Sequence, residues 1–500
     1  MISKIKTVSF QGIDIIPITV EVSITNGLPQ FNIVGLADKS VAESKERIRS
    51  SFYAMGLNLP AKRITVNLSP ADCPKEGTHY DLPIILGILT SIAMIDSIEL
   101  ESYVCMGELS LDGSILRSPG ILPASIYAHA NQKGIICPFS CGSEAAWTGI
   151  EKVIAAHSVI DIINHFKGIH VLTNPEPKIL QDQNDFLDFS DVKGQSFAKR
   201  GMIIAAIGGH HALLNGVPGS GKSMIAKRLP SILSPLTPKE ALEVSTIYSV
   251  SGLLPENGFI TQRTFRDPHH YISTPALIGG GSKAKPGEIS LSHHGVLFMD
   301  ELPEFSKFSL EALRQPLESG EVLIARANHR SRFPARFQLI AAMNPCKCGF
   351  LGEQEKECAK APLCGGEYQK KLSGPLLDRF DLFIPISKVS FSELLPQKEL
   401  TTPQQNSNIM KQIVISTLEF QQNVRSQHFK NNLLNGSELM HQMCEKPELK
   451  KRIETALKRF NLTTRSLFKI LRVSRTIADI EQSIDIKDNH LLEAFQFRQI

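Results

Sequence analysis

The chain of 500 residues lacks any long hydrophobic run. Its longest apolar stretch, Leu82–Ile95, contains Pro83 and Gly87 and is too short to cross a bilayer, so it reads as a buried helix and excludes a membrane partner. An apolar leader is missing too: MISKIKTVSFQGIDIIPITVEV alternates as a strand does, unlike a secretory signal. Charge of one sign is scarce. Lys and Arg number 54 against 50 Asp and Glu, a net charge of +4, which is compatible with nucleic acid and weak as evidence for it. Nine cysteines is an odd count, and four of them cluster. That speaks against a disulfide framework and for a reducing, cytoplasmic setting with a metal site. No internal repeat is visible. What is present is ordinary for a globular protein, 42% hydrophobic and 21% charged, at a length that fits two to four domains.

Three blocks follow from the patterning. Residues 1–172 alternate strand-like and helical runs, such as Ile13–Ile24 (strand), Ser40–Met55 (helix) and Arg63–Leu68 (strand). Residues 173–190 are polar and acidic, with Pro175 and Pro177, and read as a linker. Residues 191–388 read as a nucleotide-binding α/β domain, and 389–500 as a mostly helical one. In the last block Thr401–Asn408 looks like a loop, while Pro447–Arg459 and Thr464–Gln482 carry helical spacing of apolar residues.

The most informative motif is Gly216-Val217-Pro218-Gly219-Ser220-Gly221-Lys222-Ser223. An apolar strand, Ala212–Leu214, precedes it and a helical pattern, Met224–Leu229, follows, the context that a phosphate-binding loop requires. Glycines let backbone N–H groups curl around phosphates, Lys222 neutralises the β- and γ-phosphates, and Ser223 offers a hydroxyl to Mg²⁺. The alternative is a chance glycine-rich turn.

A second element defines the chemistry. The apolar strand Val296–Met299 runs directly into Asp300 and Glu301, the pattern of an acidic pair at a buried strand end. Asp300 would hold Mg²⁺ and Glu301 would polarise the attacking water. A third strand, Gln338–Met343, ends in Asn344, which can orient that water. Arg379 lies in LLDRFDLFIPI, either in a surface ion-pair set with Asp378 and Asp381 or as an arginine finger for a neighbouring subunit's ATP. Arg465 begins the helix TTRSLFKILRVSRTIADI, either solvated or reaching the γ-phosphate. Within 346–364, Cys346, Cys348, Cys358 and Cys364 form a cluster of C-x-C, nine residues, C, five residues, C. Four thiolates suit structural Zn²⁺, although the spacing is not a pair of C-x-x-C knuckles, and a set of reduced cysteines is the alternative.

Several long segments then resemble one family. RDPHHYISTPALIGGGSKAKPGEISLSHHGVLFMDELPEF, AAMNPCKCGF and LLDRFDLFIP look like the magnesium-chelatase-like AAA+ proteins, and more narrowly the ComM/YifB family, over nearly the whole chain. The resemblance implies an α/β P-loop AAA+ module at 191–388 with a helical lid at 389–500, preceded by an α+β Lon-protease-like domain at 1–172. It implies Lys222 and Ser223 as Walker A, Asp300 and Glu301 as Walker B, Asn344 as sensor 1, Arg379 as the finger and Arg465 as sensor 2. Val192–Gln195 resembles the segment near the adenine, and the stretch between the two Walker motifs a helix-2 insert. Glu321–Arg336 resembles a hairpin projected into the ring's pore, where Arg326, Arg330 and Arg332 would meet DNA phosphates. The family's members are understood as hexameric helicases that drive branch migration in natural transformation. The implied cofactors are ATP and Mg²⁺, and the implied partners are single-stranded or branched DNA, further copies of the chain and recombination proteins. A chelatase-type or protein-remodelling motor and a regulatory ATPase are the competing readings; no D-x-S-x-S metal-adhesion motif is present.

The Lon-like block is expected to be inactive. Where active Lon-type proteases place a nucleophilic serine, Gly77 is followed by Thr78 and His79, and the position of the partner lysine falls near Leu122. A serine–lysine dyad needs a hydroxyl beside an amine of lowered pKa, which these positions do not supply.

Overall fold

The structure is a computed structural model that describes residues 2–177, 187–255, 258–281, 285–326, 329–351, 361–389, 406–460 and 462–498. Two sheets organise it. The first uses β1 (Ile2–Gln11), β2 (Asp14–Thr25), β3 (Gln30–Val34), β4 (Arg63–Ser69), β5 (Tyr103–Cys105), β8 (Gly134–Pro138) and β9 (Val153–Ala156) in the order β3-β4-β2-β1-β5-β8-β9. A small hairpin, β6 (Glu108–Leu109) and β7 (Ile115–Leu116), stands apart from it. β1 and β2 form a long antiparallel hairpin with Ile5 opposite Val20, and β5, β8 and β9 continue the sheet in parallel.

The apolar run read as a buried helix over Leu82–Ile95 is a helix over Asp81–Ser91, buried at nearly every position. Its Gly87 explains how it fits. A Cβ there would stand 2.6 Å from Val22 Cγ2, and Ser3 Oγ donates to the Gly87 carbonyl at 2.6 Å, so the glycine lets helix and sheet touch. The expected helix over Ser40–Met55 is two helices, Lys39–Ala42 and Ser44–Ala54. The Asp38 side chain caps the first by accepting from the Val41 N–H at 2.8 Å.

The second sheet holds β10 (Ala212–Gly216), β11 (Phe265–Arg266), β14 (Val296–Met299), β17 (Gln338–Met343) and β18 (Leu382–Ile386), in the order β11-β14-β17-β10-β18 and wholly parallel. Its strands are buried runs of Leu, Ile, Ala and Phe, as expected of parallel strands covered on both faces. Two hairpins leave this domain, β12 (Gly279–Gly280) with β13 (Lys285–Pro286) and β15 (Glu321–Arg326) with β16 (His329–Pro334). Phe189, inside the stretch read as linker, is fully buried in the core that the sheet shares with the C-terminal helices, and its N–H donates to Ser407 Oγ at 2.9 Å.

Helices Ser407–Asn423, Gly436–Cys444, Pro447–Phe460, Thr464–Ile480 and Asp488–Gln496 form the C-terminal block. Residues 401–405 of the expected loop lie outside the described residues, and the Asn406 side chain caps the first of these helices. Among the described residues no helix is long and apolar enough to cross a membrane. The block is fastened by a buried carboxylate, Asp479, which accepts from Gln421 Nε2 and Asn431 Nδ2 at 2.8 Å each, Arg425 Nη1 at 2.8 Å and Arg475 Nε at 3.0 Å. Replacing it removes the carboxylate partner of two guanidinium groups. Asp479→Ala is therefore expected to destabilise the C-terminal block by about 3–5 kcal/mol. Denaturant unfolding followed by helical signal measures this, and an unchanged midpoint would contradict the assigned role.

Candidate nucleotide site

Parallel register brings three strand ends to one line. Asn215 of β10 lies opposite Met343 of β17, and Met299 of β14 lies opposite Ala341 of β17. The loop 217–221, the pair Asp300–Glu301 and Asn344 therefore emerge side by side at the carboxyl edge of the sheet, where open α/β sheets bind ligands. Gly221 turns the chain into helix Lys222–Arg228 with φ +92°, which an L side chain rarely adopts.

Lys222 bridges two of these ends. Its Nζ donates to the Gly216 and Val217 carbonyls at 2.7 and 2.9 Å and to Asn344 Oδ1 at 3.0 Å. Burial pushes its ammonium pKa down, opposed by the charges of Asp300 and Glu301. Ser223 Oγ donates to Asp300 Oδ2 at 2.6 Å, so a hydroxyl and a carboxylate converge as hard oxygen donors. That pair fits Mg²⁺, which favours such oxygens. Asp300 Oδ1 also accepts the Glu301 N–H at 2.9 Å. Glu301 itself sits at φ +51°, a strained conformation of the kind found where a side chain must be aimed.

Beside the loop lies a cavity of roughly 320 Å³ lined by residues that include Gly216, Val217, Pro345, Leu351, Ser387 and Lys388. Gln195, from the segment expected near the adenine, donates through Nε2 to the Ser387 carbonyl at 2.6 Å. Gln195 is thereby tied to the wall of the cavity beside the phosphate loop.

The other expected residues stand elsewhere. Arg379 is 9% exposed, and its Nη2 donates to Glu318 Oε2 at 2.7 Å. The surface ion-pair set with Asp378 and Asp381 is not what forms: Asp381 accepts the His211 N–H at 3.2 Å and lies 3.4 Å from His210 Nδ1. Arg465 is exposed in the first turn of helix Thr464–Ile480. On the β15–β16 hairpin Arg330 and Arg332 are exposed, Arg332 lying 3.4 Å from Glu321, and the side chain of Arg326 lies outside the described residues. The hairpin rests on the N-terminal domain, where Gln11 Nε2 donates to the Arg330 carbonyl at 3.0 Å and a Cβ on Gly12 would stand 2.6 Å from the Arg332 carbonyl oxygen.

Three cysteines of the cluster meet. Ligand atoms of Cys346, Cys348 and Cys364 lie within 4.8 Å of one another, and Cys346 Sγ stands 3.0 Å from Cys348 Sγ; Cys358 lies outside the described residues. A second convergent group, Glu243, His293 and His294, reads differently. His293 Nδ1 accepts the Arg336 N–H at 3.0 Å, so its proton sits on Nε2, facing Glu243 at 3.2 Å. Burial holds the His293 pKa down to about 4, so this ring is a neutral hydrogen-bond donor. In the N-terminal domain, His79 is buried with Nε2 2.9 Å from the Val8 carbonyl oxygen, burial lowers its pKa to about 4, and Leu122 is wholly buried.

Sequence reasoning passed over His270, whose Nδ1 lies 3.6 Å from Glu301 Oε2. The signal was the pair His269–His270 just after β11, but a strand of two residues leaves no periodicity to read. It also passed over Glu318 and Lys469, whose partners are distant in the chain. Lys469 Nζ donates to the carbonyls of Asp378 and Phe380, the latter at 3.1 Å.

Comparison with known proteins agrees with this architecture. Residues 188–394 match the family profile described as magnesium chelatase, subunit ChlI; residues 20–141 match subunit ChlI of Mg-chelatase; and residues 404–498 match its C-terminal part. The competence protein ComM of Haemophilus influenzae is 39% identical over 489 residues, covering 96% of this chain and 94% of that protein. The protein YifB of Escherichia coli (strain K12) is 39% identical over 500 residues, covering 100% and 97%. The magnesium-chelatase 38 kDa subunit of Cereibacter sphaeroides is 26% identical over 176 residues, covering 31% of this chain and 52% of the subunit. Similarity to that chelatase subunit covers only part of each chain while similarity to ComM and YifB runs end to end, and the chain belongs to the ComM/YifB family of magnesium-chelatase-like AAA+ proteins.

Proposed function

We propose that this protein is an ATP-hydrolysing motor that closes a homo-hexameric ring and moves along single-stranded or branched DNA. The convergence of Lys222 with Asn344 and of Ser223 with Asp300 at one sheet edge carries the ATPase part of this reading. In it, Lys222 and the backbone N–H groups of 217–223 hold the phosphates of ATP, while Ser223 and Asp300 hold Mg²⁺. The metal, when bound, neutralises charge on the β- and γ-phosphate oxygens. Glu301 takes the proton of the attacking water, and Asn344 orients that water. Arg379 of a neighbouring chain and Arg465 stabilise the charge that develops in the transition state.

The DNA part rests on the hairpin, where Arg330 and Arg332 are exposed on one short β-ribbon. Arg326 belongs to the same ribbon through its backbone pairing. A relative carries the name competence protein, which favours DNA as the track; branch migration alongside recombination proteins is the task this reading assigns to the motor. The N-terminal domain is read as Lon-protease-like and without peptidase activity, because neither Thr78–His79 nor Leu122 supplies a dyad. It serves instead to seat the hairpin. The thiols of Cys346, Cys348 and Cys364, with Cys358, are read as a structural Zn²⁺ site in a cytoplasmic protein.

Lys222→Ala is expected to abolish nucleotide binding in a fluorescent-ATP titration; retained affinity would place the phosphates elsewhere. Glu301→Gln is expected to bind ATP normally while turnover falls about a hundredfold or more. ATPase rates with and without single-stranded DNA test the track, followed by migration of a four-way junction. Stimulation that fades with salt is expected. A rate indifferent to DNA at low salt would favour a protein-remodelling motor. Protein purified without chelator is expected to hold about one zinc per chain by elemental analysis, and zinc-free protein would remove that assignment.

A further inference from the structure

Arg379 is held at two ends by different parts of the chain. Its backbone is fixed by the C-terminal block, since Lys469 Nζ donates to the carbonyls of Asp378 and Phe380 on either side of it. Lys469 lies one helical turn after Arg465. Its guanidinium is held by Glu318, in helix Arg314–Ser319. That helix ends at Gly320, φ +70°, and the next residue, Glu321, begins the hairpin strand β15. Glu318 thus stands at the root of the arginine hairpin.

The guanidinium is incompletely satisfied. It offers five N–H donors, yet its Nε and Nη1 are buried with no hydrogen-bond partner among the described residues. Burying such donors unpaired is costly, so this seat is one that Arg379 leaves readily for a site offering more acceptors. Phosphate oxygens are such acceptors, and arginine engages them through two parallel hydrogen bonds. Glu318, by contrast, is 68% exposed and free to stay in water once its partner goes.

We propose that Glu318 is a positioning residue that holds Arg379 in standby and couples it to the hairpin root. This rests on reading Arg379 as the finger for a neighbour's ATP. The γ-phosphate of the neighbouring site competes with Glu318 for the guanidinium. When Arg379 swings out, helix Arg314–Ser319 loses its tie to the segment before β18. By reciprocity, DNA that pulls the hairpin root away from Arg379 frees the finger, which is how a track bound at the arginines would raise ATP turnover.

Turnover of the full chain with and without single-stranded DNA tests this. Glu318→Gln keeps shape but gives up the charge. It is expected to raise DNA-free turnover about fivefold and to bring the stimulation ratio toward one. Its melting midpoint is expected to fall by only about 2–4 °C, because Gln keeps an oxygen acceptor for the Arg379 guanidinium. Glu318→Asp, which keeps the charge at shorter reach, is expected to fall between the two. DNA-free turnover in Glu318→Gln that is unchanged or lower, with stimulation retained, overturns the proposal. Arg379→Ala in the same assay separates the two readings. A silent Arg379→Ala beside an unaltered Glu318→Gln removes only the role of Glu318, whereas an active Arg379→Ala removes the finger itself.

Discussion

Parallel pairing of β10 with β17, and of β17 with β14, is the constraint on which the candidate chemistry depends. A one-residue slip between any two of these strands would turn their side chains to the other face and carry their loops out of line. The slip is resisted because alternate residues of each strand pack into two separate cores, one on each face of the sheet. With the register held, Lys222 reaches Asn344 across the β10–β17 boundary and Ser223 reaches Asp300 beyond it. The phosphate loop is thereby shaped by its neighbours as well as by its own glycines.

The same sheet organises what surrounds the site. Among the described residues, two groups of contacts join the N-terminal domain to the nucleotide domain. At one, the β1–β2 turn supports the backbone of the hairpin at Arg330 and Arg332. At the other, Trp147 stacks on Phe259 at 4.9 Å and the Gly120 N–H donates to the Ser249 carbonyl at 3.0 Å. The C-terminal block grips the segment around Arg379 through Lys469. Elements far apart in sequence therefore meet at the hairpin and at the segment around Arg379.

Local features of this arrangement were legible in the sequence. The phosphate loop, Val296–Met299 and Gln338–Met343 announce themselves because their signals lie in consecutive residues, and the observed strands match them. Helices Pro447–Phe460 and Thr464–Ile480 were readable from apolar spacing. What could not be read is whatever depends on long-range pairing. The partner of Arg379 proved to be Glu318, 61 residues away, rather than the adjacent aspartates that sequence proximity suggested. His270 was hidden because β11 spans only two residues. The order of the seven-stranded sheet, with β1 at its centre and β3 at its edge, has no local signature at all.

In the proposed motor each ATP site is built from strand ends of one chain and completed by an arginine of the next. The most direct test mixes two inactive variants, Lys222→Ala, which lacks the phosphate lysine but keeps Arg379, and Arg379→Ala, which has the reverse defect. Each alone is expected to hydrolyse ATP negligibly. Mixed assemblies join an intact phosphate loop to an intact arginine at some interfaces, so the account predicts that turnover reappears on mixing. Mixed assemblies that form and remain silent would contradict it.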